Sequence, residues 1–221
     1  GAGLVTIIGH PDALAEHAAH VSAIMLREAD PLLSVIDDRV RAVAIGPGAG
    51  TGADTRQAVQ ALLSRDCAAV IDADAITSFE GEPGALFEML HHQAVLTPHD
   101  GEFGLLFPDL DLVQRHHAVG RAATRSGATI LLKGPKTLIA SPDGRIAANQ
   151  HSAPWLATAG SGDILTGLIC GLLAQGTQPF EAAAIAGNLK LGKLVCFYDQ
   201  NHITLAASAN VSFREDVAAR F

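Results

Sequence analysis

With 221 residues, the chain has room for one sizeable α/β domain, alone or with an appendage, and little more. A formal net charge of −8 argues against a nucleic-acid or anionic-membrane surface, so an anionic ligand would have to be met by local backbone amides and single cations. No apolar stretch reaches the roughly 20 residues that span a bilayer, and no signal-peptide pattern is read. Three widely spaced cysteines, Cys67, Cys170 and Cys196, suit small core residues in a reducing, cytoplasmic compartment better than a disulfide frame or metal site. The pairs His91-His92 and His116-His117 have no evident second ligand group and read as solvated helix residues.

In chain order, "GLVTIIG" reads as a strand and "PDALAEHAAHVSAIML" as a helix with proline near its start. "AVAIG" is a strand, and "DTRQAVQALLSR" a helix with Asp54 as its expected cap. "AAVIDAD" is a buried strand ending in carboxylates, "PGALFEMLHH" a helix and "AVLTP" a short strand. "DLVQRHHAVGRAATRSG" is a helix closed by Gly127, "ATILLKG" a strand, and "KTLIASPDGRIAAN" a hairpin turning at Pro-Asp-Gly. Helices follow from about 162 and from about 179. This alternation predicts a mainly parallel sheet covered on both faces, with ligands at the carboxyl ends of its strands.

The segments after the strands carry the chemistry. "GPGAGTG" (46–52), "DADA" (72–75), "TPHDGEF" (97–103), "KGPKT" (133–137) and the glycine helix "TAGSGDILTGL" (158–168) would converge on one crevice. None is specific by itself, and "GPGAG" matches neither the Rossmann nor the P-loop spacing. Gly160, Ser161 and Gly162 let backbone N–H groups approach a phosphate at a helix start. Asp163 is out of place beside a phosphate, and the residues alone leave two readings of it: a helix cap, or a carboxylate with chemistry to do. Asp72 and Asp74 likewise read either as caps or as groups that place Mg²⁺ or water. His99 reads as a turn residue or a ligand contact, and Lys133 as a solvated lysine or an anion partner.

Together, "AIGPGAG", "IDADAI", "LTPHDGEF", "LLKGPKTLIASPDG" and "ATAGSGDILTGLI" resemble the ADP- or ATP-dependent NAD(P)H-hydrate dehydratases of the ribokinase-like superfamily over residues 1–186. The resemblance implies a ribokinase-like three-layer α/β sandwich with a mainly parallel central sheet. It implies dehydration of hydrated NADH or NADPH at the expense of ADP or ATP, with Mg²⁺. It places Gly48, Gly50 and His99 on the hydrate, and Lys133, Gly134, Pro135, Lys136, Thr137 and Gly162 on the nucleotide. Asp163 would touch the hydrate and act as catalytic base. No metal ligand follows from it. No nucleic-acid or membrane partner is expected, and a homo-oligomer is left open.

The sequence departs from the family pattern at three places. Asp100 stands where the family usually has proline. The strand, Gly-Gly-Ser-like loop and helix that normally precede "GAGLVT" are not in the sequence, so the dehydratase-like domain is expected to lack its usual N-terminal segment. Residues 187–221 instead resemble a transketolase segment, with Asn201 at the position that reaches the Mg²⁺ of thiamine diphosphate, but the partner Gly-Asp-Gly motif is absent. Two alternatives stay open: another ribokinase-like small-molecule kinase, such as a hydroxyethylthiazole or pyrimidine kinase, or a non-catalytic nucleotide-binding fragment. "GSGD" serves either enzyme; "LTPHDGEF" and "KGPKT" favour the dehydratase.

Overall fold

The computed structural model describes residues 3–28, 36–149 and 160–188, all within a compact unit covering Gly1–Lys190. Of the segment expected to resemble transketolase (187–221), residues 189–221, with Cys196 and Asn201, lie outside the described residues.

The main sheet has six strands in the order β3 (Ala42–Ile45), β4 (Ala68–Ile71), β5 (Ala94–Leu96), β6 (Thr129–Leu132), β7 (Leu138–Ala140) and β8 (Ile146–Ala148). β3 to β6 run parallel, and β7 and β8 close the sheet antiparallel. Strands β4, β5 and β6 are buried throughout, as their unbroken apolar runs require of a sheet covered on both faces. Alternate residues then serve opposite faces. Ala69, Ile71, Leu96, Ile130 and Leu132 meet helices α2 (Ala53–Leu63), α5 (Asp100–Leu106) and α6 (Arg115–Ser126), with Phe79, Phe103 and Phe107 filling that layer. Ala68, Val70, Val95 and Leu131 meet α7 (Ser161–Ala174) and α8 (Pro179–Asn188) through Ile169, Leu173, Ala182, Ala183 and Ala186. The three-layer sandwich is therefore as expected. So are the hairpin, closed by Gly144 N–H on the Ser141 carbonyl, and the left-handed Gly127 after α6.

Several elements differ from expectation. Helix α1 (Pro11–Ala18) stops well short of Leu26, because residues 25–28 form β2 (Met25–Glu28), which pairs parallel with β1 (Thr6–Gly9) in a separate two-stranded sheet. Helix α2 is capped by Gly52 rather than Asp54, which sits in the first turn where its charge suits the helix dipole. Helix α4 (Pro83–Phe87) ends before His91, which lies half-buried beyond it, its pKa lowered by burial. Two short helices were not anticipated: α3 (Ala73–Thr77) after β4, and α5 after β5. Among the described residues, no helix is long and apolar enough to cross a membrane.

Gly46 fixes how closely β3 and β4 leave the sheet. It has φ 138°, and a Cβ there would lie 1.7 Å from the Asp72 carbonyl oxygen. Gly46→Ala is therefore expected to destabilise the fold by about 2–3 kcal/mol, the cost of overpacking against a backbone atom. That corresponds to a fall in Tm of about 5–10 °C for a domain this size. A Tm equal to the parent's in thermal unfolding would contradict the close approach.

Candidate active site

The glycine loop after β3 is held from α3. The Asp74 carboxylate accepts the Gly50 N–H at 2.9 Å, and the Ser78 hydroxyl accepts the Gly52 N–H at 3.1 Å. Thr55 donates to the Gly50 carbonyl at 2.6 Å. Gly48 and Gly50 have φ of 68° and 74°, conformations that favour glycine. Gly50 thus has its amide engaged, whereas the exposed Gly48 amide has no partner among the described residues.

Asp72 is the centre of the strand-end polar groups. It is 1% exposed and accepts three hydrogen bonds: from the Ala73 N–H at 2.9 Å, the Lys133 ammonium at 2.7 Å and the Thr166 hydroxyl at 2.7 Å. It therefore caps α3, as one sequence reading allowed, but it also joins β4, β6 and α7. The adjoining Ala73 is the one non-glycine residue with positive φ among the described residues, at 44°. Strain of this kind persists only where surrounding bonds over-determine the backbone, as the Asp72 cluster does here.

Lys133 also lies 3.7 Å from the buried Glu102 carboxylate. Glu102 forms a capping box with His99: its carboxylate accepts the His99 N–H at 2.8 Å, and His99 Nδ1 accepts the Glu102 N–H at 3.1 Å. The His99 imidazole stays 59% exposed above the carboxylate.

Helix α7 opens on the other side of Lys133. A Cβ on Gly162 would stand 3.8 Å from the Lys133 nitrogen. The N-cap is Gly160, left-handed at φ 83° and without a side-chain cap bond. Asp163 is the third helical residue, so it is not the cap. It is exposed and has no hydrogen bond or ion pair among the described residues. The first bond of the helix runs from the Ile164 N–H to the Gly160 carbonyl. The amides of Ser161, Gly162 and Asp163 accordingly have no partner among the described residues, at the positive end of a 14-residue helix.

Of the expected site residues, Lys133, Gly162 and Asp163 come together, with His99 joined to Lys133 through Glu102. Gly134, Pro135 and Lys136 are exposed in the β6–β7 connection, and Thr137 is half-buried, its carbonyl accepting the Asn149 N–H at 2.9 Å. Lys136 lines a surface concavity of about 390 Å³ with Gln114, Arg115 and His116, and neither Lys133 nor Gly162 is among its lining residues. A second concavity, of about 430 Å³, follows the same helix. Neither holds a buried polar cluster like the one at Asp72, so the chemistry favours the strand ends. Thr166, Glu102 and Ser78 were not assigned roles from sequence, whereas Asp74, read as an amide cap or a Mg²⁺- or water-placing group, holds the Gly50 amide. Thr166 left one trace, a hydroxyl in the otherwise apolar "ILTGLI". Cys67 and Cys170 are unsuited to nucleophilic work, since burial raises both thiols, Cys170 to about 11.

Known proteins share this architecture. The ADP/ATP-dependent NAD(P)H-hydrate dehydratase of Bacillus subtilis, co-crystallised with ATP/Mg²⁺ and soaked with CoA, superposes with a TM-score of 0.70 at 27% identity, over 83% of this chain and 68% of that one. The chain is 47% identical over 146 residues to the bifunctional NAD(P)H-hydrate repair enzyme Nnr of Synechocystis, covering 66% of this chain and 27% of that protein. It is 42% identical over 167 residues to the ADP-dependent (S)-NAD(P)H-hydrate dehydratase of Neisseria meningitidis, covering 72% of this chain and 55% of that protein. The chain thus spans a minor part of the bifunctional relative and about half of the monofunctional one. The fold is that of the ribokinase-like proteins. The NAD(P)H-hydrate dehydratase family profile matches residues 1–207, and the chain belongs to that family.

Proposed function

We propose that the protein dehydrates hydrated NADH or NADPH in the cytoplasm at the expense of ADP or ATP. The observation that carries this reading is the exposed Asp163, on a helix start where it and the first amides have no partner among the described residues and Gly162 adjoins the Lys133 ammonium. Amides and ammonium suit the transferring phosphoryl group, and the carboxylate suits the acceptor hydroxyl.

Hydroxide is a poor leaving group, so the hydroxyl is phosphorylated first. Its oxygen attacks the terminal phosphorus, the nucleotide P–O bond breaks, and the proton passes to Asp163. Inorganic phosphate then leaves the ring carbon as a neighbouring ring proton is lost, restoring the dihydronicotinamide. Gly48 and His99 would meet the hydrate, and Lys133, Gly162 and the 134–137 connection the nucleotide.

Among the described residues, no three metal-ligating side chains are grouped, and Asp72 and Glu102 already face Lys133. This donor set suits a Mg²⁺ that arrives on the nucleotide phosphates and keeps most of its water, rather than one held in a protein cage. Bound so, the ion supplies charge neutralisation at the phosphates. The assignment of 187–221 as a transketolase-like tail to a dehydratase-like domain of residues 1–186 belongs to the same reading.

The test is purified protein with hydrated NADH, Mg²⁺ and either ADP or ATP, following NADH absorbance. No NADH with either nucleotide would overturn the reading. Lys133→Ala is expected to weaken nucleotide binding by about 1.5–3 kcal/mol, one charge-assisted hydrogen bond. Calorimetric titration showing parental affinity would remove Lys133 from the nucleotide site.

A further inference from the structure

We infer that Arg115 is a positioning residue that sets the distance between the two halves of the site; the inference rests on the dehydratase reading. Arg115 opens α6 and belongs to none of the strand-end segments. Its Nη1 donates to the Asp100 carboxylate at 2.7 Å, immediately after His99. Its Nη2 lies 3.5 Å from the Lys133 carbonyl oxygen. The same nitrogen would be 2.9 Å from a Cβ on Gly134, so glycine at that position admits the guanidinium.

The Lys133 N–H donates to the Pro98 carbonyl at 2.8 Å. Residues 98 and 100 therefore grip Lys133 from both ends of its backbone, directly by the Pro98 bond and through Arg115 by the Asp100 pair. His99 stands between the two attachments. An exposed ion pair contributes little to stability, but this guanidinium is three-quarters buried and its fork reaches two elements at once.

In-line transfer depends on the spacing between acceptor and phosphoryl group, and small misplacements lower kcat steeply. Arg115→Ala is expected to lower kcat about tenfold or more while both KM values move less than about threefold. Arg115→Lys should not rescue it, because one ammonium cannot span both acceptors. Hydrogen exchange gives a readout independent of turnover: in Arg115→Ala, the Lys133 amide, which donates to the Pro98 carbonyl, is expected to exchange at least about tenfold faster, with 129–132 unchanged. Arg125→Ala, a change on the same helix that breaks a pair with Asp109 outside it, should leave both readouts parental. Parental kcat, rescue by lysine, or parental exchange of the Lys133 amide in Arg115→Ala would overturn the inference. If the parent itself forms no NADH, the dehydratase reading fails, and the exchange result alone decides for or against the bracket.

Discussion

Asp163→Asn is expected to stay folded and to lose about 10²–10⁴-fold in turnover, the range for removal of a positioned base. Asparagine keeps the shape of the side chain. The helix cap is not at stake, since Gly160 occupies it and Asp163 stands two residues inside the helix start. Nor does any intramolecular bond depend on the carboxylate, which has no partner among the described residues. The change is therefore confined to the ability to accept a proton. Nucleotide affinity should hold or rise, because a negative charge leaves the neighbourhood of the phosphates. Thermal unfolding and the dehydration rate, measured on the same variant, separate the outcomes. A folded variant with the parent's turnover would refute the base assignment.

Asp72→Ala is expected to act on the fold. It removes the acceptor for an ammonium, a hydroxyl and a backbone amide together. Breaking a buried charge pair from one side costs about 3–5 kcal/mol. The lower end applies here, because Lys133 is 21% exposed and still lies near Glu102. A loss of about 3 kcal/mol lowers Tm by about 6–12 °C in a domain of this size. Asp72→Asn should cost less: its oxygen can still serve Lys133 while its amide donates to Thr166, whose hydroxyl can turn to accept. If Asp72→Ala unfolds at the parent's temperature, the buried junction contributes nothing to stability.

The parts legible in the sequence are those with a local cause. Unbroken apolar runs announced β4, β5 and β6, Pro-Asp-Gly announced the hairpin turn, and Gly127 announced the end of α6. The grouping of polar segments at strand ends followed from strand direction alone. Helices α3 and α5 escaped because they are short and begin at the strand ends; Asp72 and His99 read equally well as turn residues. The expected α1 stops at Ala18, and its last two expected residues, Met25 and Leu26, belong to β2, whose pairing with β1 is a tertiary choice that local propensity does not record. Thr166 and Glu102 escaped for a different reason. Thr166 depends on Asp72, 94 residues away, and Glu102, besides its local capping box with His99, lies near Lys133; no spacing rule marks those distant contacts. Arg115 is the extreme case, a helix-start arginine whose meaning depends on Asp100 and Gly134.

The bonds at Asp72 bridge 61 residues to Lys133 and 94 residues to Thr166. Contacts of such separation form only after long loops have closed, and so belong to the last stages of folding. The corner built around Asp72 cannot exist in a partly assembled chain. A ligand held there would do little to hasten folding. It would instead slow unfolding, as ligands do whose contacts form after the folding transition state. Resistance to proteolysis in the presence of ligand would then reflect residence time in the native state rather than any faster return to it.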